Sequence, residues 1–415
     1  MRKIELNKQN KQVVLLYIST LGGTLLGVLS SIINTRYLDT ASYGDIRYVQ
    51  NIITFVASLL LFGYFLSGSR LLALSSGEEK SRRIRGCMVV ILAITSFVLL
   101  LSCAIMYMAH RKSSPEVAYL FIVSMPVCFY PLFSNYINTT AQGDNHIGRL
   151  SVGRLLPLVI YIPIAYLVYS TYGASSIRMI LLQWGTYTVI FTAIIVSTRP
   201  TFQNLRPIFS ELQQENKEYG FQLYIGSLFM VASGYLAGIF LGLYNEDNTE
   251  VGFYTLALTI TSPLALLPGI IGTTYFKKFA TEPKIPDKVM KFTLLLSVLS
   301  CILFILLIRP VVTFLYSDRY VTTGIYASWM AVGYSIHGLG DMINRYLGSH
   351  GQGKSIRNSS IINGVFKIFG FTVLVYYFNT FGALITNITC SSIYCIILAY
   401  YYFKFIKKTQ LYEKI

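Results

Sequence analysis

The chain has 415 residues, 54% of them hydrophobic and 13% charged, with a formal net charge of +16. A soluble domain carries about 25% charged residues, so there is too little polar surface here to cover a water-soluble globule, and a bilayer must be the solvent for most of the chain. The positive charge does not point to nucleic acid, because Lys and Arg lie in short segments between apolar runs, where they report membrane topology.

A bilayer core needs about 20 apolar residues of helix. Behind a polar, basic N-terminal stretch, such runs lie at 13–35, 48–69, 87–109, 117–139, 152–170 and 176–197. They continue at 221–243, 251–274, 292–315, 322–347, 359–378 and 382–405. The first run could imitate a signal peptide, but it is too long and eleven more follow, so it reads as the first of twelve spans. Glycines and prolines inside several runs are tolerated by membrane helices. Arg36, Arg47, Arg111, Lys112, Arg178, Arg309 and Arg319 fall on one side, and Lys367 inside the eleventh run. The other 26 of the 34 Lys and Arg fall on the side of the N-terminus. Both termini are therefore expected in the cytoplasm. The longest connecting segment, 198–220, spaces Phe202, Leu205, Phe209 and Leu212 as a helix would, and reads equally as an interfacial helix or an unstructured linker.

Cys87, Cys103, Cys128, Cys301, Cys390 and Cys395 lie in apolar runs or at their ends. They form no CxxC pair and no cluster with His, so they read as small buried hydrophobes, with no disulfide framework and no metal site.

The chain repeats itself. Thr171-Tyr172-Gly173-Ala174 returns as Thr380-Phe381-Gly382-Ala383, Ala141-Gln142-Gly143 as Gly351-Gln352-Gly353, and Tyr43-Gly44 as Val251-Gly252. Six spans separate the copies, so both have the same orientation. The expected fold is an all-α polytopic membrane protein of about twelve transmembrane helices, in two six-helix bundles related by a pseudo-two-fold axis along the membrane normal. The bundles are expected at 1–200 and 220–415, joined by a cytoplasmic linker at 201–219. In transporters built this way, substrate sites lie between the halves and alternating access rocks one against the other.

Arg36-Tyr37-Leu38 followed by Ser42-Tyr43-Gly44, after a first span, resembles a turn of polysaccharide exporters. Gln142-Gly143 after the fourth span and Tyr172-Gly173-Ala174 after the fifth are similar to that family too. With twelve spans and duplicated halves, the whole chain resembles Wzx-type O-antigen flippases of the multidrug/oligosaccharidyl-lipid/polysaccharide (MOP) export superfamily, whose multidrug branch gives the fold its MATE-like name. The resemblance implies movement of undecaprenyl-pyrophosphate-linked oligosaccharide from the cytoplasmic to the periplasmic leaflet of a bacterial inner membrane. It implies membrane lipids, a polysaccharide polymerase and a chain-length regulator as partners, and no nucleic acid. It calls for no cofactor beyond a coupling H⁺ or Na⁺. Related lipid II flippases carry several arginines along the first span; none lies here between Lys11 and Arg36, which argues against a peptidoglycan precursor.

Asp341 is the one acid well inside a predicted span, in a series with His337 and Arg345 along one helical stripe. A carboxylate at mid-membrane costs ~2.5–3.5 kcal/mol and faces a partner or a wet cavity. Asp341 is thus a candidate for ion coupling, with Arg345 and His337 helping to bind the pyrophosphate; the bland reading is a self-neutralising Asp341–Arg345 pair. Lys367 needs an anion, either Asp341 or the pyrophosphate. Arg47, Arg70 and Arg154 stand at predicted span ends, where snorkelling to headgroups is the commoner reading, but Arg47 and Arg154 are also headgroup candidates. Asn135, Tyr136 and Asn138, late in the fourth span, are candidate sugar contacts. Gly348–Ser355 matches the phosphate-loop pattern, which has meaning only between a strand and a helix; here membrane spans flank it.

Two rivals remain at this point. A MATE-type multidrug exporter shares the fold but favours an acidic cavity. An O-antigen polymerase, which would be an enzyme, carries a long periplasmic loop, and the longest segment on that side is about 13 residues. The chain is expected not to be an enzyme.

Overall fold

With no water to take up backbone hydrogen bonds, a chain in hydrocarbon must satisfy them within its own segments, and a computed structural model shows this as a succession of helices. It describes residues 8–75, 77–144 and 146–412. The helices are α1 (Lys8–Tyr37), α2 (Thr40–Leu59), α3 (Tyr64–Leu74), α4 (Glu78–His110), α5 (Pro115–Ser124), α6 (Tyr130–Gly143), α7 (Ile147–Tyr172) and α8 (Ser176–Ser197). After these come α9 (Leu205–Glu215), α10 (Phe221–Tyr244), α11 (Thr249–Thr261), α12 (Pro263–Thr274), α13 (Phe276–Phe279), α14 (Asp287–Tyr316), α15 (Val321–Ser349) and α16 (Gly353–Tyr412).

Among the described residues seven helices are long and apolar enough to cross a membrane, and nine if each of two bent pairs is one span. Three further spans complete the predicted twelve. α15 carries His337, Asp341 and Arg345, which lower its hydropathy. α5 is short but is continued by α6. α16 is divided at Asn379, whose φ 50° and ψ −133° are not helical. The protein is an all-α, multi-pass membrane protein.

The breaks have local causes. Between α2 and α3 the axis bends by 58°, where Phe62 and Gly63 take positive φ. Gly63 (φ 82°) is also pressed on the backbone of Gly220, which an added Cβ would meet at 2.5 Å, so no other residue suits the position. Pro131 opens α6 and Pro263 opens α12, positions where a missing N–H costs nothing.

The helices sort into two compact units, Met1–Leu228 and Phe229–Ile415. In unit 1, α1 packs along α7, and a charge lock closes the end that bears the chain's basic segments. Arg85 donates through Nε and Nη2 to both carboxylate oxygens of Asp144 at 3.0 Å, and through Nη1 to Glu78 and the Thr198 carbonyl at 3.1 Å. This bidentate pair ties α4 to the ends of α6 and α8. The segment expected as a linker contains α9, but its buried residues are Ile208 and Leu212, while Phe202 and Phe209 are exposed. α9 is docked on α3 and α4 by Lys80–Glu211 (2.7 Å) and Arg70–Glu215 (2.5 Å). In unit 2, α15 is surrounded by α11, α12, α14 and α16. A sealed group of Phe279, Met342, Tyr346, Tyr394 and Leu398 lies towards the last turns of α15.

Candidate functional site

Unit 1 holds a cavity of about 340 Å³ walled by α1, α6, α7 and α8. α1 contributes Ser19, Thr20, Gly23 and Thr24, spaced so that one face of an apolar helix is hydroxylic and small. From α7, Arg154 reaches across and donates Nη1 to Thr20 Oγ1 at 2.5 Å. No acid pairs with Arg154 among the described residues. Ser134 and Asn138 line the α6 side. Tyr130 and Tyr187, with ring centroids 4.5 Å apart, form an aromatic wall continued by Phe191. Among the described residues the lining thus offers a guanidinium, hydroxyls, one amide and aromatic faces, and no carboxylate. Its chemistry suits an anionic oxygen cluster with a polar, ring-bearing group beside it.

Arg47 is not at a helix end. α2 starts at Thr40, placing Arg47 about 10 Å along the helix. Its guanidinium donates to Gln50 (2.9 Å) and to Tyr43 Oη (2.8 Å), and lies over the Tyr43 ring. Gln50 passes the chain on to Gln183 at 3.2 Å. Tyr187 of the cavity wall is within electrostatic reach of Arg47. The structure therefore turns Arg47 inward rather than letting it snorkel. Arg70, in contrast, is committed to Glu215.

The three candidate sugar contacts separate. Asn138 is on the cavity wall. Tyr136 is fully buried, with its ring edge-on to Phe65 at 5.6 Å, and is not among the residues that line the cavity, so the structure places it in the packing rather than at a sugar site. Asn135 is not among the lining residues. Helical geometry explains the split: successive residues point about 100° apart, so a three-residue guess cannot be right on one face for every member.

In unit 2 the candidate residues converge. His337 stacks on Tyr394 with centroids 4.7 Å apart. Tyr394 Oη donates to Asp341 Oδ1 at 3.1 Å and accepts from Asn344 at 2.8 Å. Lys367, from the first part of α16, is within electrostatic reach of Asp341, His337 and Cys390, and forms no ion pair among the described residues. The alternative Asp341–Arg345 pair is absent among the described residues, and Arg345 is exposed with its stem against Gly272. Among the described residues no group of three His, Cys, Asp or Glu could hold a metal ion. The phosphate-loop look-alike is the turn between α15 and α16, with Gly351 at φ 68° and a helix on either side.

Residues 10–276 match the family described as polysaccharide biosynthesis protein. The chain belongs to that family. No curated protein matches it. Among solved structures, it is similar to the lipid II flippase MurJ in an inward closed conformation, with TM-score 0.75, 14% identity, 96% of this chain and 90% of that one covered. An inward-facing multidrug resistance MATE family transporter of the MOP superfamily gives TM-score 0.68 at 15% identity, covering 97% and 99%. A MOP superfamily transporter from Pyrococcus furiosus gives 0.60 at 16%, covering 94% of each. At these identities the likeness shows the fold alone; the three neighbours are one flippase and two transporters.

Within this family member, the residues that sequence reasoning passed over are those of α1 and the aromatic wall. Ser19, Thr20 and Thr24 carried a readable signal: hydroxyls at helical spacing beside Gly23 within an apolar span. Tyr130 and Tyr187 carried none, because tyrosine fills the interfacial belts of any membrane protein.

Proposed function

We propose that the chain is a flippase that moves undecaprenyl-pyrophosphate-linked oligosaccharide from the cytoplasmic to the periplasmic leaflet of a bacterial inner membrane. The observation that carries this reading is the acid-free cavity of unit 1, with Arg154 held at Thr20 and an aromatic wall beside it. Arg154, and behind it Arg47, supply positive charge for pyrophosphate oxygens; Asn138 and the tyrosines supply an amide and flat faces for sugars. A cavity for organic cations would be expected to carry a carboxylate. Membership of the polysaccharide biosynthesis family supports the substrate class.

The orientation, with both termini cytoplasmic, rests on the 26 of 34 Lys and Arg on the N-terminal side. Movement proceeds by alternating access, with 1–200 and 220–415 as the moving halves and Asp341 as the ion-coupling acid. Lys367, His337 and Arg345 belong to that coupling cluster or contact the headgroup as it passes. Polymerase and chain-length regulator act on the product in the outer leaflet.

The test is the surface polysaccharide profile of cells lacking the protein, read beside the pool of lipid-linked repeat units. Loss of repeat-bearing polysaccharide, intact units trapped in the cytoplasmic leaflet, and rescue by wild type but not by Arg154→Ala support the reading. Persistence of single-repeat caps would replace it with a polymerase. An unchanged profile would direct attention to drug efflux.

A further inference from the structure

The helix that leads towards α10 turns its apolar side to its own bundle and keeps a basic side outside. α9 directs Ile208 and Leu212 inward, and its two acids go with them: Glu211 is held by Lys80 and Glu215 by Arg70. Arg70 also lies over the Tyr219 ring, 4.7 Å from its centroid. One residue beyond Glu215, Asn216 of the π-helical turn Asn216–Gly220 donates to the Phe62 carbonyl at 3.1 Å and accepts from Ser67 at 3.0 Å. These contacts fix the rotation of α9 about its own axis, because two acids, an amide and two aliphatic side chains must all meet α3 and α4 at once.

With that rotation set, the outer side follows from a helical step of about 100° per residue. Arg206, Phe209, Gln213 and Lys217 fall in one outward stripe, and all four are exposed. Phe202, just before the helix, is 57% exposed and Phe209 43%. Arg206 and Lys217 make no ion pair or hydrogen bond among the described residues. Glu218, the acid that follows Lys217, falls to one side of the stripe, where Gln214 donates to it at 3.0 Å. The outer face is therefore two cations around a phenylalanine, and the acids of α9 that would oppose them are engaged on the opposite side.

The height of this face follows from α2. Its 20 residues rise about 30 Å, the thickness of the hydrocarbon core, before the 58° bend that leads into α3. Ser67, Arg70 and Lys80 lie beyond that bend, at the edge of the bilayer on the side that carries most of the chain's Lys and Arg. α9 is held by those same residues and stands at headgroup level. There the leaflet offers phosphate diesters and the first methylenes of its acyl chains, and an aromatic ring settles at the boundary between the two. Cations without an accompanying acid favour a lipid of net negative charge over a zwitterionic one, whose ammonium offsets its phosphate. A free phosphate would engage the cations and leave both phenylalanines in water.

We propose that the outer face of α9 is a binding surface for anionic phospholipid of the adjoining leaflet. Arg206 and Lys217 take the phosphates, and Phe202 and Phe209 sit at the level of the upper acyl chain. The surface is separate from the cavity of Arg154, and it does not depend on which substrate is carried.

The experiment uses the full chain in liposomes of mixed phosphatidylcholine and phosphatidylglycerol. Phe209→Trp supplies the reporter, and the unsubstituted chain, with Trp184 and Trp329, supplies the background. One or other lipid is brominated high on its acyl chain, at equal mole fraction, and quenching of the added indole is compared. Brominated phosphatidylglycerol is expected to quench more strongly than brominated phosphatidylcholine. In the reporter background Arg206→Ala and Lys217→Ala should each lower the relative affinity for phosphatidylglycerol up to about fivefold, and the double variant should remove the preference. Gln213→Ala, in the same stripe, should leave it intact, and high salt should suppress it while quenching itself persists. Equal quenching by the two lipids, or a preference that survives the double variant, would overturn the proposal. So would an indole that neither lipid quenches, which would place the face in water or against another protein. Phe202→Trp gives the same comparison from the second ring if Phe209→Trp unseats α9.

Discussion

Unit 1 and unit 2 treat buried charge in opposite ways. In unit 1 Arg85 is locked by both oxygens of Asp144, Arg47 is held by neutral partners, and Arg154 faces a cavity whose described lining holds no acid. Unit 2 brings the carboxylate of Asp341 and the amine of Lys367 into mutual reach and still does not pair them. Each treatment fits a different task. A fixed pair holds helices, whereas the proposed function gives the guanidinium beside open space an anion to bind and the acid and base of unit 2 a coupling role. The difference shows that the total of intramembrane charges says little until the partners of each are known.

The comparison breaks first, and with the largest effect, at the lock. Arg85→Ala leaves the buried Asp144 carboxylate with only the long 3.4 Å contact to Arg149 and should cost about 3 kcal/mol, read as a lowered unfolding temperature of purified protein; an unmoved transition would mean that the pair holds nothing. Arg154→Ala comes next. Losing a charge-assisted contact worth about 1.5–3 kcal/mol should reduce export roughly 10- to 100-fold at normal protein level, with Arg154→Lys restoring only part because a point charge replaces a planar fork. For unit 2, Lys367→Ala and Asp341→Asn should each lower gradient-driven export about tenfold. The double variant should be no worse than either, since groups acting as one unit are non-additive; independent losses would separate them. The smallest effect belongs to Tyr136→Phe, which should leave transport unchanged within twofold, whereas Asn138→Ala should weaken substrate binding a few-fold.

Much of the fold was legible because membrane helices announce themselves by length and hydropathy, and the twelve runs and the basic asymmetry needed nothing more. What the runs hid were the breaks: α2 stops at Leu59 and resumes at Tyr64 inside what reads as a single apolar stretch, since Phe62 and Gly63 carry the turn without any polar residue. Arg47 looked like a span-end residue for a separate reason: the apolar run begins only at Tyr48, whereas α2 begins at Thr40. Asp341, Lys367 and His337 could be picked out because ionisable side chains are costly in hydrocarbon. Tyr394 could not, because its significance depends on His337 and Asp341 of another helix, and a tyrosine on α16 has meaning only once the two helices are side by side. Arg85 and Asp144 lie 59 positions apart, and nothing local joins them.

The single-residue break at Asn379 has a consequence for how the protein enters the membrane. On either side of it the two parts of α16 fold back on each other, with Gly382 against the Leu374 carbonyl and Gly370 against Thr386. A segment carrying Lys367 is a poor passenger for the translocon by itself, at ~2.5–3.5 kcal/mol for a lysine near its centre. With so tight a turn, the following apolar segment emerges from the ribosome immediately behind it, and the two can leave the translocon together as one hairpin. A nascent chain halted at Phe378 would present Lys367 to the lipid alone, so the last hairpin is a unit of biogenesis as well as of structure.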